Sequence, residues 1–316
     1  MNLDRRSFIK NSGKGLLGLS ALSAIPFFTS PGFAKTNGDL FFKISLAEWS
    51  LNKNLFRKKI TNMDFPSVAK NEFGIHALEY VNQFFMDKAE DEAYLKELKS
   101  RTEDLNVENV LIMIDREGHL GDSDDAKRTI AVENHYKWVE AAKFLGCHSI
   151  RVNAHATTED PEEAKSLAVD GLSRVTEFAA PYGINVIVEN HGGFSSNGKW
   201  LSDVMKQVNK PTCGTLPDFG NFCIKHEKGK CSEEYDRYKG VKELMPFAKG
   251  VSAKTGEFDA DGNAVDTDYL KMMKIIKKFG YTGYVGIESG GKSPEAEYQS
   301  VKLTKALLEK VGAKLS

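Results

Sequence analysis

From residue 43 onward, short apolar runs alternate with longer stretches whose apolar positions recur every three to four residues. The short runs predict eight strands, at 43–49, 75–81, 110–115, 149–155, 185–190, 214–218, 250–254 and 284–288. The stretches between them predict helices near 65–72, 90–105, 126–145, 161–180, 201–208, 233–247, 267–279 and 294–311. Punctuation residues agree with these boundaries. Gly74, Gly146, Gly183 and Gly280 follow helices as C-terminal caps, while Pro161 and Pro294 stand at helix starts. Strands that read as continuous apolar runs, each followed by a helix, belong to parallel sheets covered on both sides. Eight such units predict an α/β protein, a single-domain (β/α)8 TIM barrel. The longest loops after strands, at 190–200, 219–232 and 255–266, follow the fifth to seventh strands and would wall the site.

Polar residues interrupt this pattern in a regular way. VIVEN, GTLPD, GVSAK and YVGIE each close an apolar run on a polar end, carrying Glu189, Asp218, Lys254 and Glu288. The separations are 29, 36 and 34 residues, about one strand plus one helix, so the four recur at the same end of successive strands. In a barrel of this type those ends converge on one site. Three carboxylates aimed at one point repel each other, so the set implies a divalent cation, a cationic partner such as Lys254, or both.

Alternation along each strand sorts the neighbours. Arg151, Asn153 and His155 share one face of the fourth strand, and Ile187, Glu189 and His191 share one face of the fifth. Gly286, beneath Glu288, leaves room for a side chain from a neighbouring strand. Glu48 and Trp49 lie on opposite faces at the end of the first strand, so one of them points away from the site. His155, His191, Glu79 and Trp49 are candidate substrate contacts, Trp49 by stacking on a sugar ring or else by packing in the barrel mouth. Arg151 lies deeper and is expected to pair with a buried carboxylate such as Glu79. Asp115, Glu117 and His119 read as a solvated loop. The run from Phe258 to Asn263 reads as a tight turn, because its glycine comes too early for an EF-hand calcium loop.

Composition narrows the function classes. Residues 1–34 carry adjacent Arg5 and Arg6, then Phe8 and Lys10, ahead of an apolar stretch, and so resemble a twin-arginine export signal. Gly32, Phe33 and Ala34 offer a cleavage point, and a retained N-terminal anchor is the alternative. Cleavage there would leave 35–316 as the barrel and place it in the periplasm or otherwise outside the cytoplasm. The full chain carries a net charge of −1, and removing the basic leader leaves −4. No basic stripe stands out, which disfavours a nucleic-acid partner and favours a small molecule. Of four cysteines, Cys147 and Cys213 open strands and read as buried small hydrophobes. Cys223 and Cys231 lie eight apart in one loop, where a disulfide is an open alternative to free thiols.

The order Glu-Asn-His after the fifth strand, Asp after the sixth and Glu after the eighth resembles the xylose isomerase-like barrel superfamily of sugar epimerases, isomerases and dehydratases. VIVENHGG and LPDFGN are the most specific pieces, and the resemblance spans essentially residues 40–312. It implies Glu189, Asp218 and Glu288 as ligands of a divalent metal ion (Mn, Mg or Zn), with Glu189 and Glu288 as the acid/base pair. Two positions depart from the pattern. Lys254 stands where the family places a histidine ligand, and Asn221, a further substrate-binding candidate, stands where another histidine is usual. The metal expectation therefore carries a rival, in which Lys254 itself is the central positive charge and a catalytic group. The resemblance implies an isomerase or epimerase acting on a sugar or polyol through an enediolate. A lyase or dehydratase on a keto-sugar and a catalytically silent carbohydrate-binding barrel are the alternatives. The absence of an obvious Gly-rich phosphate loop favours a neutral sugar.

Overall fold

The structure, a computed structural model, describes residues 40–316; the segment that resembles an export signal lies outside the described residues. Ten strands run along it: β1 (Lys43–Ala47), β2 (Ala77–Val81), β3 (Glu108–Met113), β4 (Ser149–Asn153), β5 (Asn185–Glu189), β6 (Cys213–Leu216), β7 (Cys223–Glu227), β8 (Lys230–Glu234), β9 (Val251–Thr255) and β10 (Tyr284–Ser289). All but β7 and β8 form one parallel sheet in the order β6-β5-β4-β3-β2-β1-β10-β9. The two ends of that sheet meet. Ser252 N donates to Pro217 O at 2.9 Å, Phe219 N to Ser252 O at 3.1 Å and Lys249 N to Thr215 O at 3.0 Å. This seam is shorter than a full ladder because β6 stops before Pro217, which has no N–H to give.

Around the barrel lie α1 (Asn52–Phe56), α2 (Phe65–Phe73), α3 (Glu92–Asp104), α4 (Asp125–Leu145), α5 (Pro161–Ala179), α6 (Gly198–Val208), α7 (Arg237–Leu244), α8 (Tyr269–Lys278) and α9 (Pro294–Leu315). Their starts are fixed locally. Asp91, Asp124, Asp160, Asn197, Asp236, Asp268 and Ser293 each accept a backbone N–H in the first turn, satisfying donors that would otherwise be orphaned. Two apolar layers follow from strand alternation. Val186 and Val188 of β5 face the helices, while Ile187 faces inward with Ala47, Leu111, Met113 and Leu216.

Three departures from the sequence reading have local causes. The first strand stops at Ala47, and Glu48–Leu51 turn as a 3-10 segment. Glu48 is drawn inward to accept from Val81 N and Asn62 Nδ2, both at 2.9 Å, which leaves Trp49 at the mouth. The loop expected at 219–232 contains the β7–β8 hairpin, and the following helix begins at Arg237 rather than 233. A Cys223–Cys231 disulfide clamps this hairpin, settling that open question. Cys147 is buried and free, whereas Cys213 is free and only half-buried. The expected tight turn is present: Asp259 accepts the N–H groups of Asp261 and Asn263, each at 2.9 Å.

Gly286 is bare for a reason the barrel makes explicit. A Cβ placed there would lie 2.4–2.6 Å from the Glu79 carboxylate. Gly286→Ala is therefore expected to lower stability by about 1–3 kcal/mol through overpacking. Adding Glu79→Ala should return part of that loss. Urea denaturation of the single and double variants checks this, and simple additivity of the two losses would refute the steric account.

Candidate active site

The mouth of the barrel gathers the strand ends as expected. Carboxylate oxygens of Glu189, Asp218 and Glu288 all lie within 4.8 Å of one another, and all three residues are buried. Each is held by a different device. Asp218 follows Pro217 where β6 has ended, so the chain curls and Asp218 Oδ1 accepts from Gly220 N and Asn221 N, both at 2.8 Å. Its Oδ2 accepts from Ser252 Oγ at 2.6 Å. Glu189 Oε1 accepts from Asn221 Nδ2 at 2.7 Å, and Glu189 Oε2 lies 2.8 Å from Arg151 Nε. The latter pair touches as charges rather than through a directed hydrogen bond, since neither atom has a well-aligned partner. Glu288 Oε1 meets the Lys254 ammonium, and Ser252 Oγ stands 3.5 Å from its other oxygen.

Burial and charge then set the protonation preferences. Burial pushes the Glu189 carboxyl up, against the opposing pull of Arg151. Asp218 is likewise pushed up by burial, with Lys254 pulling the other way. For Glu288 burial acts in the same sense but loses to the Lys254 ammonium and Arg151, which hold it below the usual carboxylate range. Lys254 itself is held cationic. Burial would lower its pKa, but Glu288, Asp218 and Glu189 raise it above the ordinary lysine value.

The other expected residues divide into those that reach the mouth and those that do not. Trp49 lines a cleft of about 350 Å³ with Lys254, Glu288, Arg237 and Asp266. His155 and His191 line a second cleft of about 230 Å³. Burial lowers the pKa of both, so each imidazole favours the neutral form. Asn221 bridges Glu189 and Asp218, which makes it a brace for the carboxylates. Glu79 is 1 % exposed and sits one layer lower, accepting from Ser45 Oγ at 2.5 Å; it forms the floor of the site.

Two assignments are corrected. Arg151 is the partner of a buried carboxylate as expected, but that carboxylate is Glu189, with Asp115 Oδ1 also at 2.9 Å, rather than Glu79. The segment after β3 is only partly solvated: Arg116, Gly118 and His119 are exposed, but Asp115 and Glu117 turn inward. Asp115 also accepts from Asn153 Nδ2 at 2.9 Å, and Glu117 is buried with Trp138 Nε1 donating to it at 2.6 Å. His119 stands beside His155, with ring centroids 4.4 Å apart, in the second cleft. Arg116 and Gly118 both adopt left-handed backbone there, φ +60° and +96°. Ser252 was also missed, although alternation places it on the face of Lys254.

The sequence matches the xylose isomerase-like TIM barrel family over residues 68–308, most of the barrel. The chain belongs to that family. Among solved structures, this family member is similar to a D-tagatose 3-epimerase-like protein at 18 % identity, with TM-score 0.66 and coverage of 87 % of this chain and 100 % of the other. The IOLI protein with a bound zinc atom aligns at 16 % identity and TM-score 0.68, covering 86 % and 99 %. A 3-keto-D-glucoside 4-epimerase from E. coli aligns at 14 % identity and TM-score 0.60, covering 86 % and 100 %. At these identities the likeness is one of fold. Among curated proteins no relative matches the chain.

Set against a divalent ion, this member of the family agrees in one respect and differs in another. Three buried carboxylates are the right donor type at a workable spacing, and the cluster could bind a metal. No histidine joins it among the described residues, and a cationic lysine already contacts Glu288. An ammonium has no lone pair to offer a metal. As the side chains stand, the site does not fit a resident ion without displacing Lys254.

Burial of Glu79 gives a testable pH dependence. Its carboxyl is pushed up to about 8, mainly by burial, against an ordinary value of 4.5. The folded state therefore keeps a proton that the unfolded chain releases, so this contribution is full below pH 4.5 and is lost as pH rises toward 8. Glu79→Gln should gain a few kcal/mol relative to the parent between pH 5 and 8.5. Urea denaturation at both pH values measures it, and parallel stability curves would show that Glu79 is ionised in the fold.

Proposed function

We propose that this protein is a sugar isomerase or epimerase that moves a proton next to a carbonyl. One observation carries the reading: two buried glutamates at one mouth, Glu189 and Glu288, are pushed in opposite directions by burial and by Lys254. Carboxyl groups whose environments drive their pKa values apart can divide the roles of acid and base. Glu288, kept ionised, takes the proton from the carbon beside the carbonyl. The C–H electron pair forms the enediolate double bond while the carbonyl π pair moves to oxygen. Glu189, able to carry a proton at neutral pH, returns one to carbon as the carbonyl re-forms. Glu288 is then protonated and Glu189 ionised, and exchange with water through the mouth restores the starting state. The relatives named above as epimerases support the reaction class, and the two clefts beside the glutamates give a polyhydroxylated substrate polar walls.

In a second reading a divalent ion, Mn, Mg or Zn, would displace Lys254 and be held by Glu189, Asp218 and Glu288. The close spacing of the three carboxylates favours it, and the zinc-bound relative is consistent with it. Such an ion would supply positive charge beside the developing oxyanion.

In deuterated water, a panel of neutral keto-sugars should include at least one that exchanges a carbon-bound proton, followed by NMR. Glu189→Gln and Glu288→Gln should each slow that exchange by about 10²–10⁴-fold. Wild-type exchange in either variant removes that glutamate from the mechanism. Binding without exchange across the panel would make this a carbohydrate-binding barrel.

The Arg5-Arg6 leader and the Cys223–Cys231 bridge support export by a twin-arginine route, with the folded barrel released into an oxidising compartment. N-terminal sequencing of the chain recovered from the periplasm should begin near residue 35. A chain retained in the cytoplasm with Met1 intact contradicts export.

A further inference from the structure

Two cations of the chain meet the carboxylate cluster, Arg151 at Glu189 and Lys254 at Glu288, and Lys254 is the one that also lines the larger cleft. Lys254 stands opposite Glu288 in the β9–β10 register, so the backbone ladder fixes its position. Its methylenes lie over Gly220, where even a Cβ would come within 3.1 Å of Lys254 Cδ and 3.2 Å of Cγ. That bare glycine lies in the curl that presents Asp218, so one turn supplies both the carboxylate and the bed for the lysine stem. The carboxylate oxygens are largely provided for by protein donors. Asp218 uses Gly220 N, Asn221 N and Ser252 Oγ, while Glu189 uses Asn221 Nδ2 and the Arg151 guanidinium. Arg151, shared between Glu189 and Asp115, and Lys254 at Glu288 already supply positive charge to the buried carboxylates. A divalent ion added among them would sit against the ammonium.

We propose that the Lys254 ammonium is the resident cation of this barrel, taking the place among Glu189, Asp218 and Glu288 that a divalent ion would need. An ammonium carries three N–H groups, of which Glu288 takes one. The side chain is 30 % exposed and lines the larger cleft, which leaves it within reach of a substrate there. On the proton-transfer reading above, Lys254 hydrogen-bonds the substrate carbonyl oxygen and stabilises the enediolate charge while remaining protonated throughout. Its fixed position makes that stabilisation preorganised. The occupancy itself does not depend on that reading.

The test is metal binding, measured apart from activity on the full chain as purified. Calorimetric titration with Mn²⁺, Mg²⁺ and Zn²⁺ alone should show no tight site, and elemental analysis should find well under one equivalent. Lys254→His supplies a neutral nitrogen donor and should bind Zn²⁺ at least about tenfold more tightly than the parent. Lys254→Met keeps the length without the charge; by removing repulsion it should tighten Mn²⁺ binding, which covers the case in which the histidine variant does not fold. One equivalent of divalent ion in the parent, removed by Asp218→Asn, overturns the proposal. So does unchanged metal affinity in a folded Lys254→Met. If no sugar exchanges a proton, these titrations still decide the occupancy, so the two ideas fail separately.

Discussion

Three carboxylates buried at one barrel mouth are tolerable only because positive charge and backbone donors meet them there. A buried carboxylate without such partners would cost several kcal/mol or give up its charge. Much of the mouth follows from this constraint. Arg151 reaches sideways from β4 to Glu189 and Asp115, Lys254 crosses from β9 to Glu288, and the curl after Pro217 turns two amides onto Asp218. Ser252 then ties Asp218 to the neighbourhood of Glu288. Asp115, directly past the end of β3, meets the same guanidinium before the chain turns through Arg116 and Gly118.

The same partners make the site asymmetric. Glu189 faces a guanidinium that it touches without a directed hydrogen bond, whereas Glu288 meets a lysine head-on. Burial is shared, so the difference in partner geometry decides which carboxyl keeps its proton. Glu79 lies beneath both as a neutral floor, and its like-charge influence would work against the upper pair were it ionised.

The barrel was legible in the sequence because its signals are local. Apolar runs, a period near 3.6 and capping residues such as Gly74, Gly146 and Pro294 need no knowledge of tertiary contacts. The convergence of Glu189, Asp218 and Glu288 was legible too, since strand ends of such a barrel share one rim. What escaped depended on neighbours far along the chain. Arg151 could have met Glu79 or Glu189, and only the shear between adjacent strands decides. The β7–β8 hairpin was invisible because its residues are charged and mostly exposed, so no apolar alternation marks it. Asp115 and Glu117 read as solvated because sequence spacing does not reveal that they face inward, toward an arginine and a tryptophan.

Asn190 has a role out of proportion to its size. Its amide nitrogen donates to Asp218 O and Asn221 O, and its oxygen accepts from Asp218 N at 2.8 Å, just past the point where the β5–β6 ladder ends. One side chain thus replaces the missing rungs between two frayed strands. An amide can do this because it both gives and receives; the corresponding acid can only receive. Conversion of that single amide to a carboxylate would turn two attractions into repulsions between oxygens, unthreading the Asp218 curl with no change in the volume of the side chain. The order of the mouth therefore depends on this side chain remaining an amide.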